Sequence, residues 1–251
     1  MKNLLLILVG VILGILCIIP VFITVIQSFL LDGVITIRGY IELFINCFPF
    51  YRYFWNSSLY TVVITIATLL ISIPAAFAFR FSNFRGKKSL YILYIILMMM
   101  PLQVMILPNY IGLRDMNLLN TPMSIIIPAV FTPLSVVVIH QYLREIDVYM
   151  IEAARLETNS CIHIIIQCII PQIKVCLFAV ALLVLAEAWN MVEQPMLYLD
   201  GDKWRMLSTF IIEKDLYKKE VLLPASVIFM IPVVFAYQLF HDELKNGLKL
   251  Y

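Results

Sequence analysis

Charge-free apolar stretches of about twenty residues recur along this chain, each as long as a helix must be to cross the hydrocarbon core of a bilayer. A water-soluble fold has to keep polar groups for its surface, so repeated stretches of this kind exclude one. In lipid a helix satisfies every backbone polar group within its own segment, and the chain therefore reads as an all-α membrane protein. Composition agrees, with 63% of the 251 residues hydrophobic and 14% charged.

Charged residues punctuate the sequence and leave spans near residues 4–27, 58–79, 90–110, 122–142, 172–192 and 222–240. Six transmembrane helices are predicted, forming a single transmembrane domain over residues 1–251. The fifth carries Lys174 near its start and Glu187 and Glu193 at its outer end, with Val175 to Ala186 uncharged between them. The first is too long for a cleaved signal and has no small-residue cleavage site after Pro20, so it is expected to be retained as helix one. Basic residues in the short connections set the orientation. Lys2, the link holding Arg80, Arg85, Lys87 and Lys88, and the tail with Lys245 and Lys249 are expected in the cytoplasm, which places both termini there. Arg38, Arg52 and Arg114 fall on the opposite side, as does a segment around 194–220 whose lysines are diluted by Asp200, Asp202, Glu213, Asp215 and Glu220. By the same count the loop bearing Glu152 is cytoplasmic.

That loop is the most informative polar segment of the chain, reading EAARLETNSCIHIIIQCIIP over residues 152–171. Asp147 can accept an orphan backbone N–H at the start of a helix that carries Val148 and Ile151 at helical spacing, together with Glu152, Arg155 and Glu157. Thr158, Asn159 and Ser160 break that helix and can cap the next, whose apolar body runs from Cys161 to Ile170 before Pro171. The pattern predicts a helix–turn–helix elbow between spans four and five. Composition alone allows it to lie on the membrane surface or to plug into another protein.

Glu152, Ala153, Ala154 and Pro171 stand at the spacing of the Glu-Ala-Ala loop found in inner-membrane subunits of bacterial ABC importers, and the chain resembles the maltose-type carbohydrate permeases of that class. Further matches follow in order: Asn56-Ser57, Pro74 to Phe79, Pro101, Leu107-Pro108, Leu118-Leu119-Asn120-Thr121, Trp189-Asn190 and Gln238. Two positions depart from the pattern, with Thr158 where the family usually has Gly and Asn117 where Gly often precedes Leu-Leu-Asn-Thr. Glycine at a helix end commonly supplies a left-handed residue and Asn is its best substitute, so Asn159 is expected to take that turn one position later.

The resemblance implies ATP-driven import of a sugar or oligosaccharide across a bacterial plasma membrane. It assigns ATP and Mg to a dimer of cytoplasmic ATP-binding subunits, and this chain itself needs no cofactor. The nearest approach to a phosphate-binding loop, Arg85-Gly86-Lys87-Lys88-Ser89, has Phe81 where the first Gly belongs. The family's coupling role is carried over to Glu152, Ala153 and Ala154, with Asn159 and Pro171 shaping the elbow, while Arg155 and Glu157 are expected to be solvated. Six spans are half of the usual pathway, which implies a second permease subunit surrounded by membrane lipid. An extracytoplasmic solute-binding protein is also implied, and the 194–220 segment with Trp204 is a docking or substrate-contacting element or else a solvated loop. Ser72, Ala75, Ala76, Thr132 and Ser135 serve close helix approach or packing within the chain.

Ionisable groups inside a span are costly and point to function. Glu187 lies beside Trp189 and Asn190, a set able to line a sugar path by stacking and hydrogen bonding; the alternative is a buried Glu paired with another subunit. His140 and His163 have no metal spacing, and Met98-Met99-Met100 reads as packing. Cys17, Cys47, Cys161, Cys168 and Cys176 read as small apolar residues, with Cys47 alone facing outward and without a partner. No metal site, catalytic set or nucleic-acid patch is predicted, the net charge being only +2. The competing reading is a secondary transporter or channel subunit without an ATPase, which would not require the elbow.

Overall fold

The computed structural model describes residues 2–31, 33–212 and 218–248. Glu213, Asp215 and Lys249, which entered the orientation reading, lie outside the described residues. Helix α1 (Lys2–Ser28) leads into a two-residue antiparallel hairpin, β1 (Leu30–Leu31) with β2 (Val34–Ile35), then a short α2 (Arg38–Ile41) that widens into a π turn over Glu42–Asn46. Helix α3 (Phe48–Phe81) has 34 residues, which at 1.5 Å per residue makes about 51 Å and exceeds the bilayer core. It starts earlier than predicted because Phe50, Tyr53 and Phe54 extend it into an aromatic-rich first turn, where Phe50 and Tyr53 are buried.

The predicted third span is not one helix. It is α4 (Lys87–Met98) followed by α5 (Leu102–Asp115), bent by 107°. Pro101 sits in an extended conformation (φ −65°, ψ 146°) between them, offers no N–H to continue α4, and disfavours helix in the residue before it. The fourth span is likewise interrupted, into α6 (Met123–Val130) and α7 (Pro133–Leu143), with Thr132 extended (φ −80°, ψ 121°) ahead of Pro133. The elbow helix α8 (Val148–Glu157) follows.

The fifth span begins at Cys161 rather than 172. It runs as α9 (Cys161–Ile164), a π turn over Ile165–Ile169, and α10 (Ile170–Trp189). Pro171 therefore does not end the elbow's second arm; it sits in the first turn of α10, where a missing N–H is tolerated. Short helices α11 (Glu193–Tyr198) and α12 (Leu207–Ile212) precede α13 (Lys219–Leu248). Five stretches are long and apolar enough to cross a membrane, and the bent α4–α5 pair makes a sixth when counted as one.

Helix α3 is the hub, packed against α6, α7, α10 and α12, while α13 lies on α10 and α1 lies outermost on α13. Tyr60, Ile64, Ile125, Ile139, Ile173 and Val180 form the larger core. Phe50, Tyr53, Trp189, Leu207 and Phe210 form a second one at the opposite end from the elbow. Ser72, Ala76 and Ser135 are buried within this chain, so they serve its own packing. Gly39 lets α2 meet the first turn of α13, since a Cβ there would fall 2.5 Å from the carbonyl oxygen of Glu220. With α13 starting beside α2, the N-terminal end of α1 and the C-terminal end of α13 lie on the elbow side.

Candidate functional site

The elbow is built by local capping. Asp147 Oδ1 accepts the backbone N–H of Tyr149 at 3.0 Å, and Ser160 Oγ accepts that of His163 at 3.3 Å, as their positions ahead of each helix predict. One face of α8 is anchored by Ile151, 1% exposed, with Met150 and Ala154 packed on the same core. The other face carries Tyr149, Glu152, Ala153 and Leu156, one stripe by helical spacing. Leu156 is 91% exposed and Tyr149 77%, and Glu152 has no hydrogen bond or ion pair among the described residues.

The turn between the arms differs from expectation. Asn159 is not left-handed: Thr158 is extended (φ −148°, ψ 140°) and its Oγ1 accepts the N–H of Ser160 at 3.2 Å, so hydroxyl chemistry replaces a left-handed residue. The substitution of Asn for Gly operates instead at Asn117, where φ is 56°. There Leu118 N–H donates to Leu113 O and Asn117 N–H to Arg114 O, both at 2.9 Å, closing a Schellman motif at the end of α5.

Arg155 is not merely solvated. Its Nη2 donates to the carbonyl of Phe81 at 3.0 Å, while Lys87 Nζ donates to the carbonyls of Ser82 at 2.9 Å and Arg80 at 3.2 Å. The last carbonyls of α3 have no partner inside the helix and carry its negative end, which these cations meet. The elbow is thus fastened to the end of the central helix. At the opposite end of α3, Asn56 Nδ2 donates to the carbonyls of Lys203 (3.1 Å) and Arg205 (2.9 Å), and Ser57 Oγ accepts Leu207 N–H at 2.8 Å. Trp204 is packed on the larger core with Lys203 Nζ 4.6 Å from its ring centroid, so it is not a free docking side chain.

A cavity of about 870 Å³ opens where three helix interruptions meet. Met98, Met100 and Leu102 border it at the first break, Phe131 to Pro133 at the second, and Asn190 to Val192 beyond α10. Glu187 and Asn190 line it, as the sequence suggests, but Trp189 does not. Successive helical residues turn by about 100°, which takes Trp189 to the other face of α10. There it is 2% exposed, donates its Nε1–H to the carbonyl of Phe229 at 2.9 Å and stacks on that ring with centroids 5.4 Å apart. Glu193 and Gln194 join the lining from α11, and the methionine run is split, Met98 and Met100 facing the cavity while Met99 is 76% exposed. Thr132 also borders the cavity rather than a helix contact. Phe131 and Gln194 escape sequence reading because only the breaks bring them together.

His140 Nδ1 lies 2.9 Å from the Tyr91 hydroxyl, and no group of His, Cys, Asp or Glu among the described residues is placed to hold a metal. Cys47 lies in the second core, at the end of the fold opposite the elbow, and its burial there pushes its thiol pKa up.

Residues 68–242 match the family model described as the binding-protein-dependent transport system inner membrane component. The chain belongs to this family. The permease is 25% identical over 218 residues to the arabinooligosaccharides transport system permease protein AraQ of Halalkalibacterium halodurans, covering 85% of this chain and 78% of that one. It is 24% identical over 221 residues to the sulfoquinovosyl glycerol transport system permease protein SmoH of Agrobacterium fabrum, covering 85% of this chain and 76% of the relative. Its fold matches a solved bacterial ABC transporter involved in the import of the acidic polysaccharide alginate, with a TM-score of 0.82 at 20% identity over 94% of this chain and 95% of that one. The chain is therefore a multi-pass inner-membrane permease subunit of an ABC importer, and ATP hydrolysis belongs to a partner chain.

Proposed function

We propose that this permease carries a carbohydrate into the cell and is driven through the exposed stripe of α8 by a dimer of cytoplasmic ATP-binding subunits that hold ATP and Mg. The single observation that carries the coupling role is that stripe: Tyr149, Glu152, Ala153 and Leu156 face outward, with a carboxylate that has no partner among the described residues between two exposed apolar side chains. A large aromatic and a leucine beside the small Ala153 form an anchor-and-groove pattern for a protein partner. Glu152 supplies a directed charge and Ala153 allows a partner close approach, Ala154 letting α8 lie close on its own core instead, while Asn159 and Pro171 shape the elbow's second arm. Both termini lie with the elbow in the cytoplasm, in line with the basic residues Arg80, Arg85, Lys87 and Lys88 on that side. A second permease subunit completes the path, and an extracytoplasmic solute-binding protein delivers cargo at the opposite face, where residues 202–207 are held by α3. The carbohydrate class rests on the relatives that transport arabinooligosaccharides and sulfoquinovosyl glycerol.

Affinity purification from the native membrane tests this, comparing the wild type with Glu152→Lys and Leu156→Asp. Co-purification of an ATPase and a second permease with the wild type, and loss of the ATPase in both variants, is the expected result. A wild type that purifies as a homo-oligomer without an ATPase would refute it.

A further inference from the structure

The cavity at the three helix breaks has a chemistry of its own. Its volume of about 870 Å³ falls within the roughly 300–1,000 Å³ usual for ligand sites. Gln194 lines it while 94% buried, given its relative exposure of 6%, and its side-chain amide has no hydrogen-bond partner among the described residues. Its polar atoms are open to the cavity, since the side-chain atoms sealed without a partner among the described residues are the hydroxyls of Thr61 and Thr68, so a ligand in that space can pair with the amide. Phe131, 65% exposed, presents an aromatic surface to the same space.

Charge in the lining has one sign. Glu187 and Glu193 border the cavity, and no Lys, Arg or His does so among the described residues. The helix ends do not offset this. Helices α5, α7 and α11 begin at the cavity while α4, α6 and α10 end there, so their opposing half-charges cancel to first order. An anionic ligand would meet two carboxylates of its own sign, both exposed on the cavity side. A polyol meets groups suited to it: carboxylates that accept from hydroxyls, and an amide that both donates and accepts.

We infer that this cavity is a subsite for an uncharged carbohydrate, in which Glu187 and Gln194 hold hydroxyl groups, Phe131 covers an apolar sugar face, and Glu187 with Glu193 turns acidic sugars away. The inference rests on the importer reading and narrows its substrate class. Family membership does not settle that point, because the fold relative imports an acidic polysaccharide whereas another relative carries arabinooligosaccharides.

The test is saturation-transfer-difference NMR on the purified transporter, assembled with its partner permease and ATPase but without the binding protein, whose own selectivity would mask that of the cavity. Arabinotriose serves as the neutral probe and trigalacturonate as the acidic one. The wild type is expected to bind arabinotriose and not trigalacturonate. Gln194→Ala should weaken arabinotriose binding about fivefold. Glu187→Lys should admit trigalacturonate, a gain that misfolding cannot mimic. Equal binding of both probes by the wild type, no binding of either, or arabinotriose binding indifferent to both substitutions overturns the inference. Absence of the ATPase from the preparation counts against the coupling reading alone, because sugar binding needs only the folded permease.

Discussion

Replacing Arg155 with Ala removes the hydrogen bond from the Arg155 side chain to the end of the central helix. Its guanidinium reaches the Phe81 carbonyl at 3.0 Å, and α3 then runs unbroken to Asn56 and Ser57, which hold the backbone at Lys203, Arg205 and Leu207. A hydrogen bond to a charged group contributes about 1.5–3 kcal/mol when well sheltered. Arg155 is exposed, so solvent reduces the value to about 1 kcal/mol. That is about a fivefold shift in the ratio of tied to untied elbow. Ile151 keeps α8 in place through its burial, so the variant should fold and bind the ATPase. The measurement is solute transported per ATP hydrolysed in proteoliposomes containing the complete importer. The ratio should fall several-fold in Arg155→Ala and recover in part in Arg155→Lys, which retains one donor on a long stem. An unchanged ratio in Arg155→Ala, with ATPase association intact, would refute the claim that this contact transmits movement.

Gly39→Ala should destabilise the permease by about 1–3 kcal/mol, because the added methyl meets the Glu220 carbonyl oxygen at 2.5 Å; thermal unfolding in detergent reads this as a lowered midpoint. Asn117→Gly should leave stability nearly unchanged, whereas Asn117→Val, forced to φ 56°, should lose about 1–2 kcal/mol. Cys161 is exposed beside the elbow and Cys47 is buried with its thiol pushed up and so held protonated at neutral pH. A membrane-impermeant maleimide should therefore label Cys161 in inside-out vesicles only, and Cys47 from neither side. Labelling of Cys161 in right-side-out vesicles would reverse the proposed orientation.

The number of spans and the elbow were legible because each depends on patterns local in sequence: charge-free length, and Asp147 and Ser160 ahead of helical turns. The breaks were not. Pro101 and Pro133 stand at the ends of interruptions, yet Pro74, Pro108 and Pro128 lie inside helices, as do Pro224 and Pro232. A proline removes the same N–H in each case, and whether the helix parts depends on what the freed carbonyl and the neighbouring helix find to contact. Glu187 and Asn190 line the cavity together, but the face Trp189 takes depends on where α13 brings Phe229. The Thr158 position shows that matching the residue type of a family glycine is less telling than asking which local group can satisfy the turn's N–H groups.

The seams at residues 99–101 and 131–132 also bear on how the cavity can change shape. A continuous helix resists bending because every turn is bridged by i to i−4 hydrogen bonds. Pro101 and Pro133 contribute no such bridge, so α5 can pivot on α4, and α7 on α6, without rupturing any bond that those two residues would have made. The walls of the cavity are in effect separate staves, whereas α3 behind them is a single beam. A stroke arriving along the beam can reshape the space between the staves while leaving the core that holds the beam intact.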